Sequence, residues 1–280
     1  MHMRMVVVSL WLAMGLASAA AQPASPGVAG ESSVVHTDAA LANAVRSPLR
    51  SPQFVARDRY RHPLESLSFW GLKPGMTMLE IWPSGGYWAE ILAPYAKATH
   101  GKYIAAIPDR SRFLPAKFSD RATYGLVLYT LFNDKSKALV RPGSVDFVLT
   151  ARNLHDWMAT PGMPEMAMAE FYAALKPGGI LAVEQHRSDP RPMLKDASDG
   201  YMSTDYVVQL AEKAGFKLED KSEINANPKD TKDYPFGVWT LPPTRQSAPN
   251  GQPPNPAFDH SKYDAIGESD RMTLRFRKPG

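Results

Sequence analysis

Short apolar runs alternate with helical segments over residues 73–222, and this alternation constrains the fold more than any other feature. The apolar runs occupy residues 76–81, 103–107, 145–150 and 180–184. Alternation of this kind is typical of a parallel sheet whose strands are joined by helices. The pattern therefore predicts an α/β fold with a mostly parallel sheet and helices on both faces. Single helical faces are formed by Trp88, Ile91, Leu92 and Tyr95, by Met168, Phe171, Tyr172 and Leu175, and by Val207, Leu210, Ala211 and Ala214.

Three further segments are predicted as strands. Residues 125–129 are mostly apolar and are predicted as a strand, although a helix in nearby residues is an alternative interpretation. Residues 216–222 follow a helix stop at Gly215, and residues 272–276 alternate apolar with polar side chains. The Lys-Pro-Gly-Gly segment that starts at Lys176 is expected to end the preceding helix, and Pro94 is expected to kink or shorten the helix that contains it.

The first 21 residues have the parts of a secretory signal peptide. A short positive start, MHMR, precedes an apolar run from Met5 to Ala17, and small residues around Ala19 form a cleavage site. We therefore expect residues 1–21 to be removed and the mature protein to be periplasmic, with no stable membrane insertion after cleavage. An uncleaved anchor is the alternative, but the apolar run is short for a membrane span.

The sequence contains no cysteine, so disulfides are excluded. Residues 22–280 are nevertheless long enough to form a single domain with a buried core. The net charge of +4 arises from interspersed acidic and basic residues, so no nucleic-acid partner is expected. The oligomeric state stays open. The predicted order is an N-terminal helical cap at about 38–70, a core at about 74–224, a long proline-rich loop at about 225–269 and a last strand at about 270–277.

Five sequence stretches are specific when they are taken together. They are LEIWPSGGYWAEILAPY, DFVLTARNLHDW, GYMSTDYVVQLAEKAGF, NPKDTKDYPFGVWTLPP and AIGESDRMTLRF. With them the chain resembles class I S-adenosylmethionine-dependent methyltransferases, and within that superfamily a group of bacterial exported proteins described as predicted methyltransferases. The resemblance covers about residues 74–222 together with the C-terminal strand. It implies a Rossmann-like sheet with an antiparallel last strand, S-adenosylmethionine as cofactor and a small-molecule substrate.

In that superfamily an acidic residue and a Gly-x-Gly-x-Gly turn follow the first strand and approach the cofactor. Carried onto this chain, Glu80 is the acidic residue. The three glycine positions fall on Trp82, Ser84 and Gly86, of which only the last is glycine. The resemblance therefore implies cofactor contacts from Glu80, Ser84, Gly85 and Gly86.

The resemblance also implies an acidic residue at the end of the second strand, where it would hold the ribose hydroxyls. Ile107 stands at that position. Asp109, two residues on, is expected to substitute for it, or else the pocket takes a different ligand. S-adenosylmethionine is also a charged molecule made in the cytoplasm, so an exported enzyme needs it delivered.

Polar side chains follow the strands at 145–150 and 180–184, where open α/β sheets bind ligands. His155 is a candidate general base, with Asp156 or Glu184 to orient it. Arg152 or Arg187 could hold an anionic substrate group. Asn153 is a candidate cofactor contact, although Asn153 and His155 could instead cap the next helix or satisfy backbone groups.

Two other arrangements stay open from the sequence. His155 and His186 could bind a metal with Asp156 or Glu184, but the spacing lacks a dense ligand motif, so no metal is predicted. Upstream of the core, Arg61 and His62 could face the pocket from a lid. The alternative is a solvated helix face with ion pairs three and four residues apart, formed by Arg57, Asp58, Arg61, His62 and Glu65.

The sequence supports one leading function and two alternatives. The leading hypothesis is a methyltransferase that transfers the methyl group of S-adenosylmethionine to a small acceptor. The first alternative is a periplasmic binding or accessory protein whose fold has lost the cofactor, because fold does not determine function. The second is an enzyme of another class that uses the same pocket.

Overall fold

A seven-stranded sheet forms the centre of the protein in a computed structural model that describes residues 38–280. The strand order is β3-β2-β1-β4-β5-β7-β6. All neighbouring strands are parallel except β7, which is antiparallel to both β5 and β6. The predicted sheet is therefore confirmed, including its antiparallel last strand. The strands are β1 Thr77–Ile81, β2 Lys102–Ile107, β3 Val127–Leu131, β4 Val145–Ala151, β5 Leu175–His186, β6 Lys217–Ser222 and β7 Arg271–Arg277.

Helices cover both faces of this sheet, as predicted. The predicted signal peptide at 1–21 and its anchor alternative lie outside the described residues. No helix within residues 38–280 is both long and apolar enough to cross a membrane. The α-helices are α1 Ala39–Val45, α2 Pro52–Val55, α3 Asp58–Arg61, α4 Pro63–Phe69, α5 Ala89–Ala98, α6 Arg121–Tyr124, α7 Leu154–Trp157, α8 Met163–Ala174, α9 Thr204–Lys213 and α10 Ser261–Ile266, with 3₁₀-helices at Ala116–Ser119 and Gly237–Thr240.

Alternate residues of each central strand enter two different cores. Leu79 and Ile81 of β1 pack into the core that α8 and α9 cover, whereas Met78 packs into the core under α1, α4 and α5. This alternation follows from the two-residue repeat of a strand. The predicted helical face of Trp88, Ile91, Leu92 and Tyr95 is fully buried in the second core.

The first helix and its contact with the core are set by Asp38. One carboxylate oxygen of Asp38 accepts hydrogen bonds from the amides of Ala40 and Leu41, which caps the N-terminus of α1. The other oxygen accepts the hydroxyl of Tyr95 on α5 at 2.5 Å. Helix α5 continues through Pro94 to Ala98, so the proline does not shorten it.

The segment that begins at Lys176 differs from the prediction. Helix α8 ends at Ala174, and the Lys-Pro-Gly-Gly residues belong to β5 instead of separating helix from strand. The pairing of β4 with β5 jumps from Val145–Leu175 to Phe147–Ile180, so this segment forms an irregular bulge. The amide of Gly178 donates to the carbonyl of Lys278 at 2.9 Å. The contact with the chain beyond β7 therefore extends the strand.

Candidate functional site

Two adjoining cavities lie at the carboxyl ends of the parallel strands, where ligands bind in open α/β sheets. The first cavity has a volume of about 660 Å³ and the second about 160 Å³. Ser84 and Asp156 line both. The first cavity is also lined by Trp82, Gly85, Pro108, Asp109, Phe113 and Pro115. The second is also lined by Arg152, Asn153, His155, His186, Trp239 and Ser269.

The turn after β1 has left-handed backbone angles at two residues that are not glycine. The φ angles are +48° at Trp82, +51° at Ser84 and +95° at Gly86. These are the three positions that the resemblance assigns to the glycines. Left-handed φ values cost energy in residues with a Cβ atom. The turn therefore has a backbone that favours glycine at all three positions, although only Gly86 is glycine.

Gly85 and Gly86 have different roles in this turn. Gly85 lines the first cavity and lies outside the left-handed region. Gly86 is not among the residues that line either cavity, and a Cβ atom there would lie 2.9 Å from the Phe118 ring. Gly85 therefore lies where a ligand could be contacted and its contact stays a prediction, whereas Gly86 acts on the shape of the turn.

Replacing Gly86 with alanine should lower the free energy of unfolding by about 2–4 kcal/mol, from positive-φ strain and the clash with Phe118. Chemical denaturation measures this loss. Gly85→Ala is the matched control, because its Cβ atom meets only an ordinary contact at 3.5 Å with Phe54. We expect this control to cost less than about 1 kcal/mol. Equal losses in the two variants would contradict the assigned roles.

The indole of Trp82 forms a wall of the first cavity without filling it. Its Nε1 donates to the carbonyl of Phe132 at 2.8 Å, and its ring packs edge-on against Trp157. These contacts anchor the ring to the core. The remaining volume is within the range of roughly 300–1,000 Å³ that is usual for small-molecule sites.

Glu80 is turned away from the predicted ligand contact. Its carboxyl group is buried and accepts the hydroxyl of Tyr103 at 2.6 Å. Burial raises the pKa of Glu80 to about 8, although the Tyr103 hydrogen bond acts in the opposite direction. Glu80 is not among the residues that line either cavity. Its position therefore does not support the predicted cofactor contact.

Asp109 lies where the sequence analysis expects a substitute for the missing acidic residue. Ile107 is buried in the core, whereas Asp109 is exposed and lines the first cavity. The amide and hydroxyl of Ser111 donate to Oδ1 of Asp109, and these bonds lower the pKa of its carboxyl group. Within residues 38–280, Oδ2 of Asp109 has no hydrogen-bond partner. A charged acceptor therefore faces the first cavity.

The tautomer of His155 follows from its neighbours. The amide nitrogen of Gln185 donates to the carbonyl of Gly200 at 3.2 Å and lies 3.0 Å from Nδ1 of His155. Nδ1 is therefore an acceptor, and the proton of the neutral ring is on Nε2, 3.3 Å from the Asp156 carboxylate. Burial lowers the pKa of His155. Its lone pair is thus already engaged, which does not favour the predicted role as general base.

His186 has a nitrogen that is still available. Its Nδ1 lies 2.5 Å from the hydroxyl of Ser269, and its Nε2 has no partner among the described residues. Burial, followed by the charges of His155 and nearby arginines, holds the pKa of His186 well below its usual value. The rings of His155 and His186 are 5.3 Å apart, but no group of three metal-ligating side chains occurs within residues 38–280.

A buried ion-pair network lies next to the second cavity. Glu268 accepts hydrogen bonds from Arg57, Arg61 and Arg271 at 2.6–3.0 Å. Arg61 is completely buried. The alternative of a solvated helix face with local ion pairs is therefore wrong, because Glu268 lies 207 residues beyond Arg61. His62 separates α3 from α4 at φ +40°.

The two arginines predicted to hold an anion differ in their surroundings. Arg187 is paired with both Glu223 and Asp270. Arg152 lines the second cavity and forms no ion pair within residues 38–280. Asn153 also lines the second cavity, where its amide donates to the carbonyl of Ile81 at 2.7 Å. Asn153 therefore lies apart from the first cavity, where the predicted cofactor contacts would be.

Sequence reasoning did not identify the loop residues that line the second cavity, among them Trp239, Glu268 and Ser269. All three come from the long proline-rich loop, which folds over the carboxyl end of the sheet. The ring of Trp239 packs 5.7 Å from that of His155. These residues lie within two of the five stretches that carried the resemblance, NPKDTKDYPFGVWTLPP and AIGESDRMTLRF. The resemblance was thus the one available signal for them.

Strand order, the antiparallel last strand and helices on both faces together define the Rossmann-like fold of class I methyltransferases. Solved structures agree. A SAM dependent methyltransferase from Aquifex aeolicus is similar over 66% of this chain and 93% of its own, with 19% identity and a TM-score of 0.50. The [4+2]-cyclase SpnF is similar over 80% and 82%, with 15% identity and a TM-score of 0.57. No family model and no curated protein matches the sequence.

Proposed function

We propose that the protein is a methyltransferase that transfers the methyl group of S-adenosylmethionine to a small acceptor. The observation that carries the proposal is the pair of adjoining cavities on the class I methyltransferase sheet. One cavity has the size of a ligand site and borders the turn after β1, and the other is small and polar. Ser84 and Asp156 line both cavities, so ligands bound in the two would meet at these residues.

The residues of the first cavity fit S-adenosylmethionine. Gly85 allows the backbone of the turn to approach a ligand closely. Asp109 offers a charged acceptor for hydroxyl groups, and Trp82, Pro108 and Phe113 supply apolar and aromatic surface. When bound, S-adenosylmethionine would supply an electrophilic methyl group. The first cavity would position it, since catalysis by alignment needs the two reactants held together.

Side chains of the second cavity would orient the acceptor and accept its proton. The predicted catalytic residues Arg152, His155 and Asp156 all line it. His155 can hold Asp156 through its Nε2 proton, whereas Nε2 of His186 has no partner among the described residues. A neutral imidazole accepts a proton at its unprotonated nitrogen. Nε2 of His186 can serve in this way when Nδ1 carries the ring proton and donates to Ser269, whereas Nδ1 of His155 is already engaged by Gln185, so the geometry favours His186 for this step. Trp239 and Ser269 from the long loop help to close the cavity over the acceptor.

Isothermal titration of residues 22–280 with S-adenosylmethionine and S-adenosylhomocysteine tests the proposal. We expect dissociation constants in the micromolar range. Gly85→Val should abolish binding because its side chain adds bulk to the wall of the first cavity where the backbone would approach the ligand, at a position that tolerates a Cβ atom. Asp109→Asn should weaken binding at least about tenfold through loss of a charged hydrogen bond.

Asp196→Asn is the matched control for Asp109→Asn. Asp196 also accepts the amide of a serine two residues on, but it lines neither cavity. Its replacement should leave cofactor affinity unchanged. Absence of heat with both ligands from a protein that is folded by circular dichroism would overturn the proposed function.

The second candidate is a different role on the same fold, as a binding or accessory protein or as an enzyme of another class. Ile107 at the position of the expected acidic residue favours it, and so does the similarity to SpnF, which is a cyclase. The titration separates the candidates, because only the methyltransferase requires cofactor binding.

We further propose that residues 1–21 direct export and that the protein belongs to the bacterial exported group of predicted methyltransferases. The apolar run from Met5 to Ala17 and the small residues around Ala19 support this proposal. Mass spectrometry of the protein from a periplasmic extract should find a mature N-terminus near residue 22. A full-length chain in the cytoplasmic fraction would contradict export.

A further inference from the structure

Arg152 has no ion-pair partner within residues 38–280 and occupies a strained backbone position. Its φ angle is +62°, and its amide donates to the carbonyl of Glu184 at 2.7 Å, which fixes the backbone where β4 ends. Its Nε is buried and finds no hydrogen-bond partner in this part of the chain. Strained residues without local partners concentrate at ligand sites.

The charges around Arg152 do not balance. Four guanidinium groups, those of Arg57, Arg61, Arg152 and Arg271, share two buried carboxylates, Glu184 and Glu268. Both terminal nitrogens of Arg61 are buried and have no hydrogen-bond partner among the residues that the structure describes. Burial and the charge of Arg61 lower the pKa of Arg152 to about 9, so it is still positive at neutral pH. Unpaired buried charge is costly, so this excess favours a bound anion.

The other groups of the second cavity cancel only part of this excess. His155 and His186 are neutral at neutral pH because burial lowers the pKa of both. Asp156 adds one negative charge, but its carboxylate is half exposed to solvent at the rim, and four guanidinium groups still exceed three carboxylates. Glu268 lines the cavity but is already bonded to three arginines. The guanidinium of Arg152 is left to meet a ligand, whereas the hydroxyl of Ser269 already lies 2.5 Å from Nδ1 of His186.

We propose that the second cavity binds the oxyanion group, carboxylate or phosphate, of a small acceptor molecule, with Arg152 as its main contact. This inference names the substrate class of the proposed methyltransferase and rests on that function for its catalytic meaning. The volume of about 160 Å³ admits only a small molecule or the anionic end of a larger one. Arg187 does not serve this purpose, since Glu223 and Asp270 occupy its guanidinium.

Thermal unfolding of residues 22–280 without cofactor tests the site, with acetate and inorganic phosphate as probes. Sodium chloride at matched ionic strength and neutral acetamide are the reference additives. We expect at least one oxyanion to raise the midpoint by about 2–4 °C beyond both references. A response to acetate alone indicates a carboxylate ligand, and a response to phosphate alone indicates a phosphate ligand.

Arg152→Gln should lose the oxyanion response completely, and Arg152→Lys should keep part of it because it retains the charge without the planar fork. Without added oxyanion, Arg152→Gln should melt at or above the wild-type midpoint, since it removes an unbalanced buried charge. Arg121→Gln removes the same charge from an exposed position that lines neither cavity, and its response should match the wild type.

An oxyanion response that is absent in the wild type, or unchanged in Arg152→Gln, would overturn the inference. Failure of the proposed function is seen separately, as absence of S-adenosylmethionine binding in the titration. If the protein bound the oxyanion through Arg152 but did not bind the cofactor, the anion site would be supported and the methyltransferase function would be excluded.

Discussion

Replacing Glu268 with glutamine should lower the free energy of unfolding at pH 7 by about 3–5 kcal/mol. Glu268 is 4% exposed and accepts hydrogen bonds from three arginines. Two of them, Arg57 and Arg61, belong to the cap, and Arg271 begins β7. Loss of its charge would leave the buried guanidinium groups of Arg61 and Arg271 with Glu184 as their one other buried carboxylate within residues 38–280. Denaturant unfolding followed by tryptophan fluorescence measures the loss.

The pH dependence identifies the charge as the cause. The three arginines hold the pKa of Glu268 far below its ordinary value of 4.5, against the opposing effect of burial. A group whose pKa is depressed in the folded state stabilises the protein above its unfolded pKa, and this contribution is lost as pH falls below about 4.5. The difference in free energy of unfolding between wild type and Glu268→Gln should therefore become smaller at acidic pH.

Glu223→Gln is the matched control for Glu268→Gln. Its carboxylate also pairs with an arginine, Arg187, but its side chain is 70% exposed. An exposed ion pair contributes little, so the control should change stability by less than about 1 kcal/mol. The role assigned to Glu268 would be refuted if Glu268→Gln lost no more stability than Glu223→Gln. It would also be refuted if the difference in free energy of unfolding between wild type and Glu268→Gln did not depend on pH.

Replacing Glu80 with glutamine should have the opposite effect and stabilise the protein by about 2–3 kcal/mol at pH 7. Burial raises the pKa of Glu80 from 4.5 to about 8. Between these pH values the folded state keeps a proton that the unfolded state releases, so wild-type stability falls as pH rises. Glutamine cannot ionise and avoids this cost. The buried side-chain amide of the glutamine needs hydrogen-bond partners in the core, and this requirement offsets part of the gain in stability.

Unfolding measured at pH 5 and pH 8 tests this prediction. The free energy of unfolding of Glu80→Gln relative to wild type should increase by about 3–4 kcal/mol from pH 5 to pH 8. Glu165→Gln is the control, because Glu165 is exposed on α8 and its replacement should produce no comparable trend. Parallel pH profiles of wild type and Glu80→Gln would mean that Glu80 is not buried as a neutral acid.

Most of the sheet could be predicted because its elements follow local periodicity. The core strands alternate between two cores, and the face of α5 that includes Ile91 and Tyr95 repeats every three or four residues. The extent of β5 could not be predicted. Glycine and proline in the segment after Lys176 indicate a helix stop and a turn, but pairing with the chain beyond β7 draws this segment into the strand.

The candidate site was predictable in its place but less so in its chemistry. The ends of the predicted strands indicated that Arg152, His155 and Asp156 lie together at the carboxyl edge of the sheet, and all three line the second cavity. The position of Glu80 relative to the cavities depends on its partner, Tyr103, which lies on the neighbouring strand. The tautomer of His155 likewise depends on Gln185 of β5.

The sequence by itself determined the strand and helix pattern, the helical cap that begins at Asp38 and the residues that meet at the carboxyl ends of the strands. These features depend on spacing within a few residues or on a general rule of parallel sheets. Only the tertiary structure decided which charges are paired. Arg61 pairs with Glu268 far along the chain, and Arg187 pairs with Glu223, whereas Arg152 has no ion pair within residues 38–280. Ion pairing depends on which distant segments meet and how deeply they are buried, and spacing along the chain carries no information about either.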